Sequence, residues 1–555
     1  MLQSVSPKQD LKQDNPEAAP IAQKPRKWQS SWAPLTIEAF RLIWITDLFA
    51  NLCTWAQSVA AAWIVTSSHA SSTTVAMIQV AASLPLVMLS IAAGVLADNY
   101  DRRRIMLIGQ SIEMLGSIVL TAMSFLHLLN PFWLILLTFW VSLGSAVTVP
   151  AWQAAVGEQV PKTMVADAVL LNSVNYNVAR AVGPAIGGLM LAGLGPGWVF
   201  CANTLAYIGL LWALWRWRRP PHQWHLPPER LYEGMVAALR FARYSSVTRL
   251  VMIRSFFFGL TASSIWALLP LLAHRLLDGG SLVYGVLLGS LGLGAILGST
   301  QVGYARQILG SSALISLGGA VFGLVLLTAG LATYLVVLVP ALIIAGGAWI
   351  AALSTYNTAV QVLVPEWVKA RALALYQTTL YGGLSLGSFL WGVVADLFGL
   401  QEAFLVSGAA MVIIAVFAYR LKLPELTAFD VSAARPAPAE PERVAGGLDM
   451  RRGAVLVMIE YTINQDQHRA FLRAVRDLRR VRLRNGATRW ALYRDVNRPE
   501  IWEEIYTVDS WLQHLRMLDR LTVHDQQIIE RVAGFHRSDK PPVVRRAVSY
   551  VARSL

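Results

Sequence analysis

The sequence predicts an all-α polytopic membrane protein with twelve transmembrane helices in two six-helix halves, followed by a small C-terminal cytosolic α+β domain. Hydrophobic residues make up 55% of the 555 residues and charged residues only 14%, whereas soluble domains carry about 25% charged residues. Twelve segments are long and apolar enough to cross a hydrocarbon core about 30 Å thick. The net charge of +14 is therefore tested first as a topology signal, before nucleic-acid binding is considered.

The twelve predicted spans lie at 42–66, 75–97, 105–128, 132–153, 165–193, 197–217, 249–273, 282–303, 311–331, 334–362, 371–397 and 401–421. If the N-terminus is cytoplasmic, nearly all basic residues of the connections are cytoplasmic as well. These are Lys24, Arg26, Lys27, Arg102–Arg104, Lys162, Arg216, Arg218, Arg219, Arg306, Lys369, Arg371, Arg420 and Lys422. The opposite connections contain Arg275, beside Asp278, and essentially no other Lys or Arg. This asymmetry predicts that both termini are cytoplasmic.

Composition divides the chain into seven parts, with bounds at 1–34, 35–217, 218–248, 249–423, 424–452, 453–537 and 538–555. The first part is polar, lacks the apolar core of a signal peptide and is expected to be a flexible cytosolic arm. The second and fourth parts are the six-helix halves. The connection between them contains an amphipathic helix, which is expected on the inner membrane surface, with a solvated linker helix as the alternative.

The two halves show traces of an internal repeat. A shift of 204 positions gives nine identities, from Ala155 and Val156 on Ala359 and Val360 through to Gly188 on Gly392. Such a repeat predicts two parallel halves with a substrate site at their interface, near the membrane midplane.

The last three parts read as a Pro/Ala-rich linker, a soluble domain and a basic tail. In the soluble domain, alternating and helical periodicities follow one another as strand, helix, strand, strand and helix. That order predicts a small ferredoxin-like α+β unit.

Polar residues form stripes on two predicted spans. On the first span the stripe consists of Asp47, Asn51, Thr54 and Ser58, and on the fifth span it consists of Asn172, Tyr176, Arg180, Gly183 and Gly187. At 100° per residue each set shares one helix face. Lipid cannot solvate these faces, so both are expected to point into the bundle or a wet cavity.

Ionisable groups inside a membrane suggest function. Asp47 and Glu113 are the candidates for proton coupling, about 8 Å and 12 Å from the cytoplasmic ends of their spans at 1.5 Å per residue. The alternative for Asp47 is solvation by headgroups or pairing with Arg41. Arg180 is expected much nearer the far side of the membrane. It would hold either an anionic substrate or a structural carboxylate.

Aromatic residues are expected to line part of the substrate cavity. The deeper ones are Trp55, Trp140, Trp266, Trp349, Tyr356, Tyr376 and Tyr381, with core packing as the alternative for each. A cavity of aromatic residues with few charges favours small amphipathic organic molecules over sugars or small ions.

Two motifs resemble the major facilitator superfamily. GVLADNYDRRR, Gly94 to Arg104, resembles the signature between its second and third helices, and ARAVGPAIGG, Ala179 to Gly188, resembles its helix-5 antiporter motif. The segments FRLIW, SLPLVMLSIAAGVLAD, GATRWALYRDV and SWLQHLRMLDRLTVHD resemble the transmembrane secretion effector branch, which includes enterobactin-exporter-like proteins. The resemblance covers residues 35–537.

This resemblance implies the major facilitator fold and a secondary transporter in the bacterial cytoplasmic (inner) membrane. The substrate would be a siderophore-like metabolite or a drug, exported in exchange for protons by alternating access. The implied gate is formed by Gly94, Asp98, Arg102, Arg103 and Arg104, with Asp98 closing onto the start of the eleventh span beside Lys369 and Arg371. In the antiporter-type motif, Gly183, Gly187 and Gly188 allow close helix approach and Pro184 introduces a kink.

Three departures from the superfamily pattern concern the gate loop and the proton relay. Asn99 stands where the pattern often has Arg or Lys, and Asp101 where it often has Gly. The fourth span lacks the Arg that many proton-coupled members carry. The common relay is therefore not carried over to this chain.

The C-terminal domain resembles small ferredoxin-like monooxygenases, so a fused enzyme is a competing hypothesis, with Trp490, Tyr493, Trp511, His514 and His524 as its candidate residues. No metal-ligand pair, phosphate loop or nucleophile elbow is present in the sequence. We therefore expect no enzyme, cofactor, metal or nucleic-acid partner. A regulatory or dimerising module is the preferred interpretation, and its arginine-rich helix either contacts anionic lipid of the bilayer or forms a solvated basic face.

Overall fold

The computed structural model describes residues 32–218, 231–332, 334–424, 430–434, 450–538 and 540–549, without the side chains of Asp98, Asn99, Lys162 and Leu231. The predicted N-terminal arm before residue 32 and most of the predicted linker at 424–452 lie outside the described residues. So does the tail beyond residue 549.

Twelve of the described helices are long and apolar enough to cross a membrane. Those of the first half are α1 (Glu38–Ser67), α2 (Ser72–Asn99), α3 (Arg102–Phe125), α4 (Pro131–Gln159), α5 (Val165–Leu194) and α6 (Pro196–Arg216). After α7 (Leu231–Tyr244), those of the second half are α8 (Ser246–Leu271), α9 (Ser281–Leu309), α10 (Ser311–Leu331), α11 (Leu335–Leu363), α12 (Glu366–Phe398) and α13 (Leu400–Arg420). Each predicted span falls on one of these helices.

Polar side chains begin several of the spanning helices. Ser71, Asp101, Asn130 and Ser245 each accept a hydrogen bond from a backbone N–H in the first turn of the following helix. These caps satisfy donors that have no partner inside the helix. Asp101, where the superfamily pattern often has Gly, is thus the N-cap of α3.

The bundle has two ends, which we name by their charge. The basic end carries Arg102–Arg104, Lys369 and Arg371, and the opposite end carries the α1–α2 turn and Arg275. The halves meet along two helix pairs, α5 with α9 and α2 with α12. Gly94 lies on the second contact, where a Cβ at this position would be 3.8 Å from the Cβ of Ala374.

The C-terminal domain is a four-stranded antiparallel sheet with helices packed against one face. Its elements are β1 (Val455–Thr462), α14 (His468–Asn485), β2 (Arg489–Arg494), β3 (Ile501–Val508), α15 (Trp511–Asp519), α16 (Val523–Ala533) and β4 (Val543–Val548). The strand order is β2-β3-β1-β4. Alternate residues of β1, and of β3 from Glu504 to Val508, are buried beneath the helices, which is the period of a half-covered sheet.

The fourth strand lies in the segment that the sequence suggested was a separate basic tail. Val455 pairs with Val548, and Glu460 with Val543, so β4 closes one edge of the sheet beside β1. The boundary expected after residue 537 therefore falls inside the folded domain. VVRRAV is short and shows no apolar/polar alternation, so the sequence did not separate an edge strand from a basic tail.

The linker helix α7 packs between the bundle and this domain. It contacts α2, α8 and α12 on one side and α14 on the other. The predicted amphipathic helix is therefore present, and its apolar face is covered by protein: Ala238 and Phe241 are at most 1% exposed.

Candidate functional site

The two halves are joined by hydrogen bonds at the opposite end. The carboxylate of Asp396, near the end of α12, accepts from the backbone N–H groups of Ser72 at 2.6 Å and Thr73 at 2.9 Å. It also accepts from the Thr73 hydroxyl at 2.6 Å. An anion at the N-terminus of α2 is favoured by the helix dipole. Arg275 adds a bond to the carbonyl of Ala70 at 3.0 Å.

At the basic end, the arginines of the α2–α3 loop have specific partners within the first half. Arg102 donates to the Ala154 carbonyl and to the Glu158 carboxylate, both at 2.8 Å. Arg103 donates to the Leu214 carbonyl at 2.9 Å, at the end of α6. Cations at helix C-termini are stabilising, so these residues hold the loop against the first half. The side chain of Asp98 lies outside the described residues, and its latch onto α12 stays a prediction.

The interior of the first half contains a hydrogen-bonded polar network. The Thr54 hydroxyl is 3.0 Å from the Tyr207 hydroxyl and donates to Asn203 at 3.4 Å. The Asn203 amide donates to Gln57 at 2.8 Å, and Ser117 donates to the same oxygen at 3.1 Å. Thr54 of the predicted stripe thus connects α1 to α6, and Gln57, which lies outside that stripe, connects α1 to both α3 and α6.

Both predicted proton-coupling carboxyls border this network. Glu113 is 4% exposed and accepts from the Gln110 amide at 3.4 Å. Tyr207 also interacts with it. Asp47 is partly buried, and its electrostatic neighbours are Glu113 and Asn51. The structure therefore brings the two carboxyls into one electrostatic environment. Glu113 lies at the middle of α3, with eleven residues of the helix before it and twelve after it.

Several members of the network were missed from sequence. Asn175 is fully buried and donates to the Trp44 carbonyl at 2.9 Å, and it accepts from Asn51 at 3.4 Å. Asn172, which lies on the predicted α5 stripe, is only partly buried and takes no part in these bonds. Asn203 and Tyr207 stand at i and i+4 on α6, and this spacing of polar residues in an apolar helix was the available signal.

Arg180 occupies a different setting, at the contact between the halves. It has fifteen residues of α5 before it and fourteen after it, so it lies at mid-length. The expectation that it lies much nearer the far side is wrong. Its Cζ atom is 5.2 Å from the ring centre of Trp266 and 5.7 Å from that of Trp349. These distances are in the range of cation–π contacts.

Further aromatic residues extend this arrangement across the halves. Trp55 of α1 lies 6.4 Å from both Tyr176 of α5 and Trp266 of α8, measured between ring centres. Tyr381 of α12 is an electrostatic neighbour of Arg180. We call these residues, with Trp349 of α11, the Arg180 cluster: Arg180, Trp55, Tyr176, Trp266, Trp349 and Tyr381.

The remaining predicted cavity residues lie elsewhere. Trp140 packs on α3 and donates to the Ile112 carbonyl at 3.2 Å. Tyr356 and Tyr376 are 1% and 3% exposed and lie inside the second half, with their ring centres 6.1 Å apart. Ser58 is exposed and donates to the Thr54 carbonyl of its own helix.

The antiporter-type motif is a close-packing surface. A Cβ at Gly187 would be 2.5 Å from the Cα of Ala56, and one at Gly188 would be 2.6 Å from the Ser281 carbonyl oxygen. Gly183 similarly approaches Trp55, at 2.7 Å from its Cβ. Pro184 lies within the continuous helix α5. Small residues let the backbones approach, as in other membrane helix pairs, so α5 contacts both α1 and α9 here.

In the C-terminal domain Glu504 is a buried charged group, at 1% exposure. It accepts from Arg482 at 3.0 Å, Trp490 at 2.9 Å and Tyr461 at 3.0 Å. His514 is 2% exposed, and neither ring nitrogen has a hydrogen-bond partner among the described residues. Burial and two nearby guanidinium groups lower the pKa of His514 to about 4. Trp490 and Arg482 are therefore parts of a buried polar core.

Curated relatives of the chain are transporters. It is 25% identical over 385 residues to the staphyloferrin A transporter of Staphylococcus aureus, covering 67% of this chain and 94% of the relative. It is 27% identical to the multidrug efflux pump Tap of Mycolicibacterium fortuitum, covering 68% and 93% of the two chains. The enterobactin exporter EntS of Salmonella choleraesuis is 27% identical, with coverage of 60% and 80%.

Solved structures show the same fold. A variant of the nucleoside transporter NupG matches with a TM-score of 0.60 at 12% identity, covering 69% of this chain and 99% of that one. A bacterial homologue of the lysosomal transporter Spinster matches with a TM-score of 0.53 at 16% identity, covering 69% and 96%. The family model described as transmembrane secretion effector matches residues 29–555. With its twelve membrane-spanning helices, the chain is thus a multi-pass bacterial inner-membrane transporter that belongs to the transmembrane secretion effector family of the major facilitator superfamily.

Proposed function

We propose that this protein exports a small amphipathic organic molecule, a siderophore-like metabolite or a drug, from the bacterial cytoplasm in exchange for protons. The observation that supports this most is the pairing of Asp47 and Glu113 beside a buried polar network in the first half. A carboxyl in such surroundings changes the charge of the interior when it binds a proton. The relatives named for siderophores and for multidrug efflux favour an organic substrate.

The orientation of the protein in the membrane follows from the charge distribution. The basic end would be cytoplasmic, because Lys and Arg accumulate on the cytoplasmic side of membrane proteins. The hydrogen bonds of Asp396 would then close the outer end. Transport would require the halves to rock about the Arg180 cluster, breaking these bonds when the outer end opens.

Proton coupling biases this equilibrium only if the two states bind protons with different affinity. Asp47 and Glu113 supply that difference if their access to water changes with the state. The predicted Asp98 latch would close the basic end in the outward-open state, at the start of α12.

The test is efflux from proteoliposomes that contain the full chain. A panel of siderophores and lipophilic cations is measured with and without a pH gradient. Accumulation driven by the gradient is expected for at least one class, and Asp47→Asn is expected to remove the proton dependence. Gradient-independent transport of every compound, or normal coupling in the variant, would contradict the proposal.

Multidrug efflux without a dedicated metabolite is the second candidate. Its supporting observation is the Arg180 cluster, since aromatic walls accept many apolar shapes. Breadth of the transported panel separates the two: a single strongly preferred siderophore favours a dedicated exporter.

We also propose that the C-terminal domain is ferredoxin-like and regulatory. The βαββαβ order and the strand order β2-β3-β1-β4 fit the split βαβ arrangement, with α15 and α16 together replacing the second helix. A fused enzyme is the alternative. Turnover of oxygen with candidate phenols by the full chain would favour the enzyme.

The proposed regulatory role rests on the contacts that this domain makes with α7 and α12. Arg520 places its Cζ atom 4.3 Å from the ring centre of Trp367, at the start of α12. Arg240 of α7 donates to the Gly486 carbonyl at 2.8 Å. The Glu233 carboxylate of α7 accepts from Gln513 at 3.2 Å. The domain thereby contacts α7 and α12, and α7 contacts α2, so its docking would oppose movement of the halves at the basic end.

Trp367→Leu tests this coupling, with Trp212→Leu as the matched control. Trp212 also lies under an arginine at the basic end, 5.8 Å from Arg216, but away from the domain. Loss of a cation–π contact of about 1 kcal/mol should raise hydrogen exchange severalfold in residues 231–244 and change the transport rate. An unchanged rate with increased exchange would show that docking does not regulate transport.

A further inference from the structure

We propose that Arg180, Trp266 and Trp349 bind an anionic oxygen group of the substrate, so that the transported class consists of amphipathic organic anions, with aromatic carboxylates as the simplest members. The inference rests on the exporter function proposed above and specifies the chemistry of its substrate.

The first step is the burial of an arginine that has no acid beside it. Arg180 is 8% exposed, and arginine stays charged in proteins. No ion pair of Arg180 is found among the described residues, and its Nε atom is buried without a hydrogen-bond partner there. Burial of a cation without an anion costs free energy, so a bound anion would stabilise this site.

The second step is the type of atom near Arg180 that is buried without a hydrogen-bond partner. The indole nitrogens Nε1 of Trp266 and Trp349 are also buried without an acceptor in the described part of the chain. Both rings lie within 6 Å of the Arg180 guanidinium. Three neighbouring unsatisfied groups are therefore all N–H donors. A ligand that satisfies them presents acceptors and negative charge.

A second buried arginine shows what a structural cation looks like in this protein. Arg254 of α8 is 3% exposed. Its terminal nitrogens donate to the Leu421 carbonyl at 3.1 Å, the Ser312 carbonyl at 3.3 Å and the Ser316 hydroxyl at 3.0 Å. The Nε atom of Arg254 is also buried without a partner among the described residues, so the two arginines differ in their terminal nitrogens: those of Arg254 are held by protein acceptors, whereas the guanidinium of Arg180 lies between rings.

The alternative of a structural carboxylate partner for Arg180 finds no acid in the part of the chain that the structure describes. Between residues 249 and 395 the acids are Asp278 and Glu366, which lie after α8 and at the first residue of α12. Asp47 and Glu113 have their neighbours in the first half. The groups that face Arg180 from other elements are the tyrosines and indoles of its cluster.

The site is reachable and lies between the halves. Tyr176 is 48% exposed and contacts Trp55 edge to face, so one side of the cluster is open. Members come from α1 and α5 of the first half and from α8, α11 and α12 of the second. An anion held here would contact both halves, and it would favour the state in which they close around it.

Binding of 1-naphthoate and of its uncharged analogue 1-naphthamide tests the proposal. Equilibrium dialysis is performed on the detergent-solubilised full chain, with wild type, Arg180→Gln, Arg254→Gln and Trp349→Phe. The wild type is expected to bind naphthoate at least about tenfold more tightly than naphthamide, since hydrogen bonds to charged groups are the strong ones. Arg180→Gln should remove this preference, and Arg254→Gln should keep it.

Trp349→Phe keeps a ring and the charge of Arg180 but removes one N–H donor. Naphthoate affinity should fall about fivefold, whereas naphthamide affinity should change less. This variant keeps the test meaningful if Arg180→Gln does not fold. Equal binding of the two probes by the wild type, or a preference that survives Arg180→Gln, would overturn the proposal.

Failure of this inference and failure of the exporter function give different results. Gradient-driven efflux of ethidium by a wild type that does not prefer naphthoate leaves the exporter standing and removes the anion site. Tight, Arg180-dependent naphthoate binding without gradient-driven transport of naphthoate or any panel compound keeps the site and removes the exporter.

Discussion

The first membrane half buries carboxyls and amides at mid-depth, whereas the second half buries aromatic rings. In the first half Glu113, Asn203 and Tyr207 are at most 4% exposed. In the second half the corresponding interior contains Phe258, within 6.3 Å of Trp349, Phe322 and Tyr356, measured between ring centres. The acids of its sequence stand at helix ends.

This difference suggests that the two halves have different roles in transport. A carboxyl interior responds to protons, because protonation changes its charge, whereas an aromatic interior offers apolar surface that no physiological pH change alters. Arg180 belongs to the first half by sequence but inserts between tryptophans of the second.

The largest expected effect comes from Glu113→Gln. Gradient-driven efflux should fall at least about tenfold, because the bias between states is lost when a proton site is removed. Efflux and pyranine-reported proton flux in proteoliposomes measure this. Asp101→Asn is the matched control, since Asn also caps a helix. Equal losses in both variants would contradict a special role for the first-half interior.

A change in the second half should affect affinity and leave coupling intact. Trp349→Leu removes an aromatic wall and should weaken substrate binding about tenfold, with the proton-to-substrate ratio unchanged. Reversal potentials in proteoliposomes give that ratio. Trp198→Leu, an exposed residue of α6 at 54% exposure, is the control. A changed proton-to-substrate ratio in Trp349→Leu would show that this residue of the second half also takes part in proton coupling.

The contact that ties the halves together should shift their equilibrium. Asp396→Asn keeps the shape but loses an anion at the start of α2, which is worth about 1 kcal/mol, or roughly fivefold in population. Labels at Ser67→Cys and Gly280→Cys, in a background without Cys53 and Cys201, report the separation of the halves. The distance distribution should gain a longer component. An unchanged distribution would mean that Asp396 does not hold the opposite end closed.

The smallest effect on transport is expected from the C-terminal domain. The pKa of His514 near 4 lies below its unfolded value of about 6.5. The unfolded state therefore takes up the proton first, and stability is lost as pH falls from 6.5 to 4. The loss is about 1 kcal/mol at pH 6 and about 3 kcal/mol at pH 4.

His514→Gln should abolish this part of the acid sensitivity, as measured by hydrogen exchange in residues 453–549 of the full chain. The variant also separates acid effects of the domain from titration of the first-half carboxyls. If His514→Gln removed the whole pH dependence of transport, coupling would not belong to the first half.

Much of the fold could be predicted from the sequence because hydrophobic length and charge asymmetry are local signals. All twelve spans correspond to helices, and the polar stripe on α1 contacts the bundle interior through Thr54. The fourth strand of the C-terminal domain could not be recognised, because its pairing with β1 joins residues about ninety positions apart. Short edge strands carry little periodicity of their own.

The candidate site was less predictable, since it depends on which helix faces meet. Trp266 and Trp349 stand on α8 and α11, and nothing local reveals that both rings flank Arg180. Tyr356 and Tyr376 are likewise aromatic residues deep in predicted spans, yet they are buried within one half. Asn175 was missed because the α5 stripe was drawn through Asn172, three residues earlier on the helix.

The most direct test of this division compares Glu113→Gln and Arg180→Gln in one experiment, with naphthoate binding and gradient-driven proton flux measured on each. The account predicts opposite defects. Glu113→Gln binds naphthoate with near wild-type affinity but loses substrate-dependent proton flux, and Arg180→Gln keeps proton flux with a neutral or cationic substrate but loses the preference for naphthoate over naphthamide. Both variants losing both properties, or Glu113→Gln alone losing naphthoate binding, would contradict it.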